Sequence, residues 1–337
     1  MIKEAIAILA EGQSLDQETM SLVMEEIMSG EATQSQISAV LMGLRVKGET
    51  IDEITACAKV MRAKATRIKA PAEAIDTCGT GGDHSLTFNI STASAFVVAG
   101  LGIPVAKHGN RAASSTCGSA DVLSELGVNI EAGVSVVEKC LEKVGIGFLF
   151  APLLHSAMKY AIVPRREMGV RTIFNLLGPL SNPAQTRYQL LGVYDKRWVR
   201  PLAEVLKNLG SLRAMVVHGV DGLDEITITS QTNVAELREG EIREYTLEPE
   251  QLGLPRSLLS EIRGGSPGYN AELIWEVLSG ASGARTDIVL LNAGAGIYIA
   301  GKAKSIQEGI ELARESIKSG KALEKLHNLI TLSHQEE

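Results

Sequence analysis

The sequence predicts an α/β protein. A small all-helical N-terminal region, residues 1–70, precedes a large region, residues 74–337, with a mixed, partly parallel central sheet and C-terminal helices. Three observations carry this. Up to about residue 70 the apolar residues recur only at helical spacing. From residue 74 short β-type runs alternate with helical stretches, the pattern of parallel strands joined by crossovers. Residues 225–247 alternate apolar and polar around a tight-turn sequence, an antiparallel signature. A chain of 337 residues is long enough for two such units.

In the N-terminal region Ile2, Ile6 and Leu9 share a face, then Leu22, Val23 and Ile27, then Ile37, Val40, Leu41 and Leu44. Thr33-Gln-Ser-Gln36 and Thr50-Ile-Asp-Glu53 have capping-box spacing. The third helical stretch is expected to run on to Met61. The cations that follow, Arg62, Lys64, Arg67 and Lys69, suit a helix C-terminus, and Pro71 marks a boundary. About 70 residues without a strand cannot readily bury every apolar face alone. Met20, Met24, Met28, Leu41, Met42 and Leu44 are therefore expected to form an adaptable surface against a second copy of the chain.

Beyond it, strands are expected at Ile75–Thr77, Pro104–Lys107, Gly147–Phe150, Gln189–Val193 and Ala214–Val217. Helices are expected from about Ser91 to Gly100 and near 119–126 and 135–144. Three alternating runs follow, Glu225–Thr229, Val234–Leu237 and Ile242–Leu247, the last two joined by Arg238-Glu-Gly-Glu241.

Composition narrows the function. With 33 Lys and Arg against 40 Asp and Glu, the net charge of -7 argues against a general nucleic-acid binder, which needs a basic face. Cys57, Cys78, Cys117 and Cys140 contain no CxxC pair and read as reduced thiols. The longest apolar run, Ala93–Ala106, is interrupted and too short to span a bilayer, and the first residues do not read as a signal peptide. A cytoplasmic protein without membrane contact is expected.

Four stretches carry chemistry. Asp76-Thr-Cys-Gly-Thr-Gly-Gly-Asp83 follows a strand, and its glycines let backbone N–H groups converge on an anion. A tight turn is the plain alternative; the dinucleotide and Walker spacings are both absent. Phe88-Asn-Ile-Ser-Thr-Ala-Ser94 opens a helix, either as an ordinary cap or as a phosphate-binding N-terminus. Val105-Ala-Lys-His-Gly-Asn-Arg-Ala-Ala-Ser-Ser-Thr116 offers two cations and many donors, which favours a phosphate or pyrophosphate clamp, with Ser119 as a further donor. Val217-His-Gly-Val-Asp-Gly-Leu-Asp-Glu225 ends a strand in carboxylates. Beside two anion loops these suggest magnesium, which takes one or two carboxylates and leaves the rest to water and substrate phosphate. Asn175-Leu-Leu-Gly-Pro-Leu-Ser-Asn-Pro183 reads as a hinge. Pro164-Arg-Arg-Glu167 reads either as a surface charge run or as a carboxylate receptor.

Together, Gly79-Thr-Gly-Gly-Asp83, Asn89-Ile-Ser-Thr92, Lys107-His-Gly-Asn-Arg-Ala-Ala-Ser-Ser115, the Asn175–Pro183 stretch and Asp221-Gly-Leu-Asp-Glu225 resemble the anthranilate phosphoribosyltransferase family, in order and across nearly the whole chain. The resemblance implies a fold of the nucleoside phosphorylase and phosphoribosyltransferase kind, with a returning helical segment near 165–185, and a homodimer built through the helical part. It implies transfer of the phosphoribosyl group of 5-phosphoribosyl 1-pyrophosphate to the amine of anthranilate, in tryptophan biosynthesis. Gly79, Gly82, Asp83, Thr87, Asn89, Ile90, Ser91 and Thr92 would contact the sugar phosphate. Lys107, His108, Gly109, Asn110, Arg111, Ala112, Ala113, Ser114 and Ser115, with Ser119, would close over it. Gly79, Asn110 and Arg165 would meet anthranilate, near His108 and Pro179. Two Mg²⁺ ions are implied, one held by Ser91 and Glu225, the other by Asp224 and Glu225. No residue is assigned as acid or base, because a neutral aryl amine needs no strong base before attack. Two other readings remain. A pyrimidine nucleoside phosphorylase has a related glycine loop, but the Lys107-His-Gly-Asn-Arg111 stretch argues against it. The net charge and the intact Asp224-Glu225 pair weigh against a nucleic-acid-binding paralogue.

Overall fold

The computed structural model describes residues 1–83, 85–112 and 116–335. Four helices open the chain: α1 (Ile2–Ala10), α2 (Gln17–Ser29), α3 (Gln34–Lys47) and α4 (Ile51–Lys64). Both capping boxes form. Gln36 N–H donates to Thr33 Oγ1 at 3.3 Å, and Thr33 N–H to Gln36 Oε1 at 2.9 Å. The Thr50–Glu53 box does the same at 3.2 and 2.8 Å. The fully buried Glu53 also accepts Leu15 N–H at 2.9 Å and pairs with Lys47 at 2.9 Å, tying three segments together. The expected third helix is therefore two. Gly48, at φ 93°, adopts a backbone that disfavours other residues and ends α3, and the Thr50 box starts α4.

The expected partner surface is also corrected. Met20, Met24, Met28, Leu41 and Leu44 are each at most 2% exposed, packed in the chain's own core. The domain fills its interior with them because a later segment returns to it. After α8 (Ala151–Leu154), α9 (Lys159–Met168) packs on α2 and α3, and α10 (Phe174–Leu177) packs on α4. Leu22, Met42 and Val46 are the exposed apolar side chains of α2 and α3.

The second part is a 7-stranded sheet of order β3-β2-β1-β4-β5-β6-β7. The strands are β1 (Ile75–Asp76), β2 (Val105–Gly109), β3 (Ile146–Phe150), β4 (Tyr188–Gly192), β5 (Arg213–Gly219), β6 (Thr232–Arg238) and β7 (Glu241–Leu247). β3 to β5 run parallel, and β6 and β7 are antiparallel additions. The last hairpin turns at Glu239 and Gly240, with φ of 53° and 79°, the left-handed pair a two-residue turn requires. The crossovers use α5 (Ile90–Gly100), α6 (Ser119–Glu125), α7 (Val134–Lys139) with a π turn at Cys140–Val144, and α11 (Val199–Asn208). The C-terminal helices α12 (Pro267–Leu278), α13 (Ala284–Ile299), α14 (Ile306–Lys318) and α15 (Lys321–Ser333) complete the core.

Alternating residues face two layers. Leu190, Val217 and Val234 join α5 and the C-terminal helices, whereas Leu191, Val216 and Ala235 join α11 and the helical domain. The expected strand at Glu225–Thr229 is an irregular loop. Its alternation arises because Ile226 and Ile228 anchor in the core while Thr227 and Thr229 hydroxyls donate to Asp221. Asn292 brackets Ile226, accepting its N–H at 3.0 Å and donating to its carbonyl at 2.8 Å, so a side chain occupies the ladder position.

Candidate active site

From β1 the chain builds outward to β2 and β3, then jumps back to β4 and β5 on the other side. The strand order therefore reverses beside β1. In open α/β sheets the crevice at the carboxyl ends of the strands beside such a reversal is where ligands bind. A cleft of about 340 Å³ lies there. The glycine loop leaves β1 into it, the loop after β2 borders it, and the turn after β5 forms its floor. Every described residue expected in the site lines this one cleft, from Gly79 and Gly82 through Ser119 and Arg165 to Asp224 and Glu225. Ala113, Ser114 and Ser115 lie outside the described residues.

The floor is built by close approach. Gly81 N–H donates to Asp224 Oδ2 at 2.6 Å, and Thr80 N–H donates to the Gly192 carbonyl at 2.9 Å. A Cβ on Gly79 would lie 2.7 Å from Asp224 Oδ2, so only glycine lets loop and carboxylate meet. Ser91 N–H, in the first turn of α5, donates to Glu225 Oε1 at 3.2 Å. Asp83 closes the group: it accepts from the Ser85 hydroxyl at 2.5 Å and more weakly from Asp224 N–H at 3.5 Å. Asp221 does not join them; it is occupied by Thr227, Thr229 and Leu223 N–H and shapes the turn.

Crowding sets the charge state. Dehydration first, and then the charge of Asp83, push the Asp224 carboxyl up to about 7. Dehydration and Asp224 push Glu225 well above the usual carboxylate range, against the pull of Lys107. Among the described residues no three His, Cys, Asp or Glu side chains form a closed metal cage. Two carboxylates and the Ser91 hydroxyl suit an ion that keeps most of its shell for water and phosphate.

Lys107 is more deeply placed than expected. It is 3% exposed, and its ammonium donates to Thr77 O at 3.2 Å, Thr77 Oγ1 at 3.4 Å and Ser91 Oγ at 3.2 Å. It thus acts as a counter-charge behind Ser91 and Glu225. Behind it Asp76, raised to about 6 by burial, accepts from His108 N–H at 3.3 Å and from Asn182 Nδ2 at 2.8 Å, joining the expected hinge to β2. Arg111 pairs with Asp121 at 3.1 Å, and the same carboxylate accepts Ala112 and Gly118 N–H, each at 2.9 Å. Asp121 therefore folds the anion loop, a role that spacing alone did not signal.

Two buried histidines, His108 and His155, are engaged with each other. His108 Nδ1 faces the Gly178 carbonyl at 3.1 Å and must donate to it. Its Nε2 then accepts from His155 Nε2–H at 3.2 Å. Burial pushes His108 down to about 3 and His155 to about 4, so both are neutral. Arg165, on α9, is half-buried over the Phe174 ring at 5.1 Å. It has no carboxylate partner among the described residues. Arg171, which sequence reasoning missed, lies 4.1 Å over the Tyr194 ring and donates to the Gly82 carbonyl, tying the glycine loop to the returning segment. Only its neighbourhood to the hinge stretch could have drawn attention to it.

Known proteins resemble the chain in sequence and fold. Residues 3–65 match the helical bundle domain of a glycosyl transferase family, and residues 71–323 match that family's a/b domain. The chain is 53% identical over 332 residues to the anthranilate phosphoribosyltransferase of Alkalilimnicola ehrlichii, covering 98% of each. It is 54% identical over 331 residues to that of Anaeromyxobacter dehalogenans, again 98% of each. Its fold matches the Thermus thermophilus anthranilate phosphoribosyltransferase at a TM-score of 0.94 and 42% identity, over 98% of this chain and 99% of that one. The Saccharomyces cerevisiae enzyme in complex with PRPP and Mg matches at 0.90 and 29%, over 98% and 97%. Full-length likeness in both sequence and fold leaves one conclusion: the chain belongs to the anthranilate phosphoribosyltransferase family.

Proposed function

We propose that the cleft transfers the phosphoribosyl group of 5-phosphoribosyl 1-pyrophosphate to the amine of anthranilate, giving N-(5-phosphoribosyl)anthranilate and pyrophosphate, in tryptophan biosynthesis. The observation that carries this reading is the Arg165 guanidinium over the Phe174 ring, with no carboxylate partner among the described residues, in a cleft also lined by two anion loops and the Asp224-Glu225 pair. A planar fork beside an aromatic ring suits an aromatic carboxylate. The yeast structures, one with PRPP and Mg and another with 4-fluoroanthranilate, support the same pair of substrates here.

The glycine loop and the first turn of α5 would hold the sugar phosphate, and the Lys107–Ser115 loop with Ser119 would close over it. Gly79, Asn110 and Arg165 would orient anthranilate. Ser91 and Glu225 would hold one Mg²⁺, and Asp224 with Glu225 a second; when bound, magnesium supplies positive charge against the pyrophosphate oxygens. The C1–oxygen bond to pyrophosphate breaks with oxocarbenium character, the amine nitrogen bonds C1 from the opposite face, inverting it, and the nitrogen releases its extra proton to the departing pyrophosphate or to solvent. Catalysis is positioning plus electrostatics. No histidine base is required: His108 Nε2 is occupied by His155, and burial, holding the imidazole down to about 3, makes it a poor proton acceptor.

The working unit would comprise a helical domain, residues 1–70 with the returning segment near 165–185, and the α/β domain, residues 74–337. Two chains would pair through the helical part, where Met42 and Val46 lie exposed one turn apart on α3. The test of the reading is pyrophosphate release with anthranilate present and omitted, followed in parallel by loss of anthranilate fluorescence. Release that ignores anthranilate, or that needs a nucleobase and inorganic phosphate, rejects it.

A further inference from the structure

We infer that Asn270, on α12 and outside the cleft lining, is a positioning residue that sets the orientation of Asn89 and the seat of the anion loop's end; this rests on the phosphoribosyl reading above. Asn270 is 1% exposed. Its Oδ1 accepts Gly265 N–H at 2.7 Å, and its Nδ2 donates to Asn89 Oδ1 at 3.0 Å across 181 residues of chain. Asn89 Nδ2 donates to the Cys117 carbonyl at 3.2 Å, and its Oδ1 also accepts from Cys117 Sγ at 3.3 Å. Thr116 Oγ1 donates to the Gly265 carbonyl at 3.1 Å. The circuit closes: Gly265, Asn270, Asn89, Cys117, Thr116, Gly265.

The direction of every bond in this ring is forced. A backbone N–H can only donate, so Gly265 fixes Asn270 Oδ1 on its side and turns Nδ2 toward Asn89. That amide then needs an acceptor, so Asn89 presents Oδ1 to it and Nδ2 to a backbone carbonyl. Asn89 is the N-cap of α5, immediately before Ile90 and Ser91, while Thr116 and Cys117 end the anion loop. One buried amide on a distant helix therefore locks together the two segments that would grip the sugar phosphate. An amide whose protons and lone pairs are each assigned holds its geometry better than one free to flip.

The test is calorimetric binding of phosphoribosyl pyrophosphate with Mg²⁺, and separately KM for both substrates. Asn270→Asp keeps the volume and the acceptor for Gly265 but sets an oxygen against Asn89 Oδ1. Its Kd and KM for phosphoribosyl pyrophosphate are expected to rise about tenfold, with KM for anthranilate within about twofold. Asn270→Ala should behave likewise. Thr116→Val, at an exposed position that a misfolding effect cannot explain, should raise the same constants about threefold. A purely structural role would lower the active fraction, and so kcat, and leave both KM values alone. Wild-type Kd in folded Asn270→Asp, or unchanged constants in Thr116→Val if the Asn270 variants do not fold, overturns the inference. A wild-type chain that binds the sugar phosphate but consumes no anthranilate contradicts the functional reading instead.

Discussion

Arg165 and Lys107 are both cations of one cleft, and their surroundings give them different work. Arg165 has an aromatic ring on one face and no carboxylate partner among the described residues. Arg165→Ala should raise KM for anthranilate about tenfold, near 1.4 kcal/mol, while KM for the sugar phosphate moves less than twofold. Lys107 spends its donors on Thr77 and Ser91. Lys107→Ala should do the reverse, or lower turnover; equal shifts in both constants for both variants would contradict this division. The histidine pair has a pH signature. His155 is held from 6.5 down to about 4 by burial, so between these values the unfolded chain binds a proton the folded one refuses. Its contribution is complete above 6.5 and is lost as pH falls. Asp76 and Asp224, raised by burial, act in the opposite sense in the same range, losing stability as pH rises. The difference between wild type and His155→Gln isolates the imidazole: it should grow from pH 4 to 6.5 by up to about 3 kcal/mol and then level off, as read by denaturant unfolding. The residue types of the site were legible because glycines, cations and carboxylates are rare in one register. Lys107's orientation was not, since it depends on Thr77 and Ser91 meeting it across the sheet.

Elements carry the site as much as residues do. The glycine loop exists to let β1 and the turn after β5 touch, and Gly79→Ala should push Asp224 away. Loss of folding stability of about 1–3 kcal/mol is expected with a larger loss of magnesium-dependent sugar phosphate binding. Normal binding in that variant would show that the close approach is dispensable. Asp224→Asn with Glu225→Gln should leave the fold intact, since removing two crowded raised carboxyls relieves repulsion. It should nonetheless greatly weaken magnesium-dependent binding; unchanged activity at limiting magnesium would rule out the metal assignment. Most elements were readable from local pattern: the two capping boxes, the short parallel strands and the final hairpin. Two readings failed where tertiary partners decide. Glu225–Thr229 alternates like a strand, yet side chains, Asn292 on Ile226 and Asp221 on Thr227 among them, take the place of a ladder. The methionines of α2 looked unpartnered, yet they sit in the chain's own core, where α4 and the later α9 both pack on α2.

At the scale of the whole molecule, the strand order places the cleft. A chain that winds outward from β1 in one direction and then restarts on its other side leaves a crevice at its carboxyl edge, and every anion motif in the sequence ends there. That convergence could not be read from the motifs singly; their joint order along the chain carried it. The proposed pairing of two chains belongs to the same scale. Glutamates at Met42 and Val46 together should yield a folded monomer, halving the mass by light scattering, with its cleft intact; a dimer that persists would move the interface elsewhere. The most direct measurement of the central claim is stoichiometric. With Mg²⁺ and phosphoribosyl pyrophosphate supplied, each anthranilate whose fluorescence disappears should be matched by one pyrophosphate released, and neither signal should appear when either substrate is omitted. Pyrophosphate released without anthranilate, or anthranilate left unconsumed by a chain that binds both ligands, would contradict it.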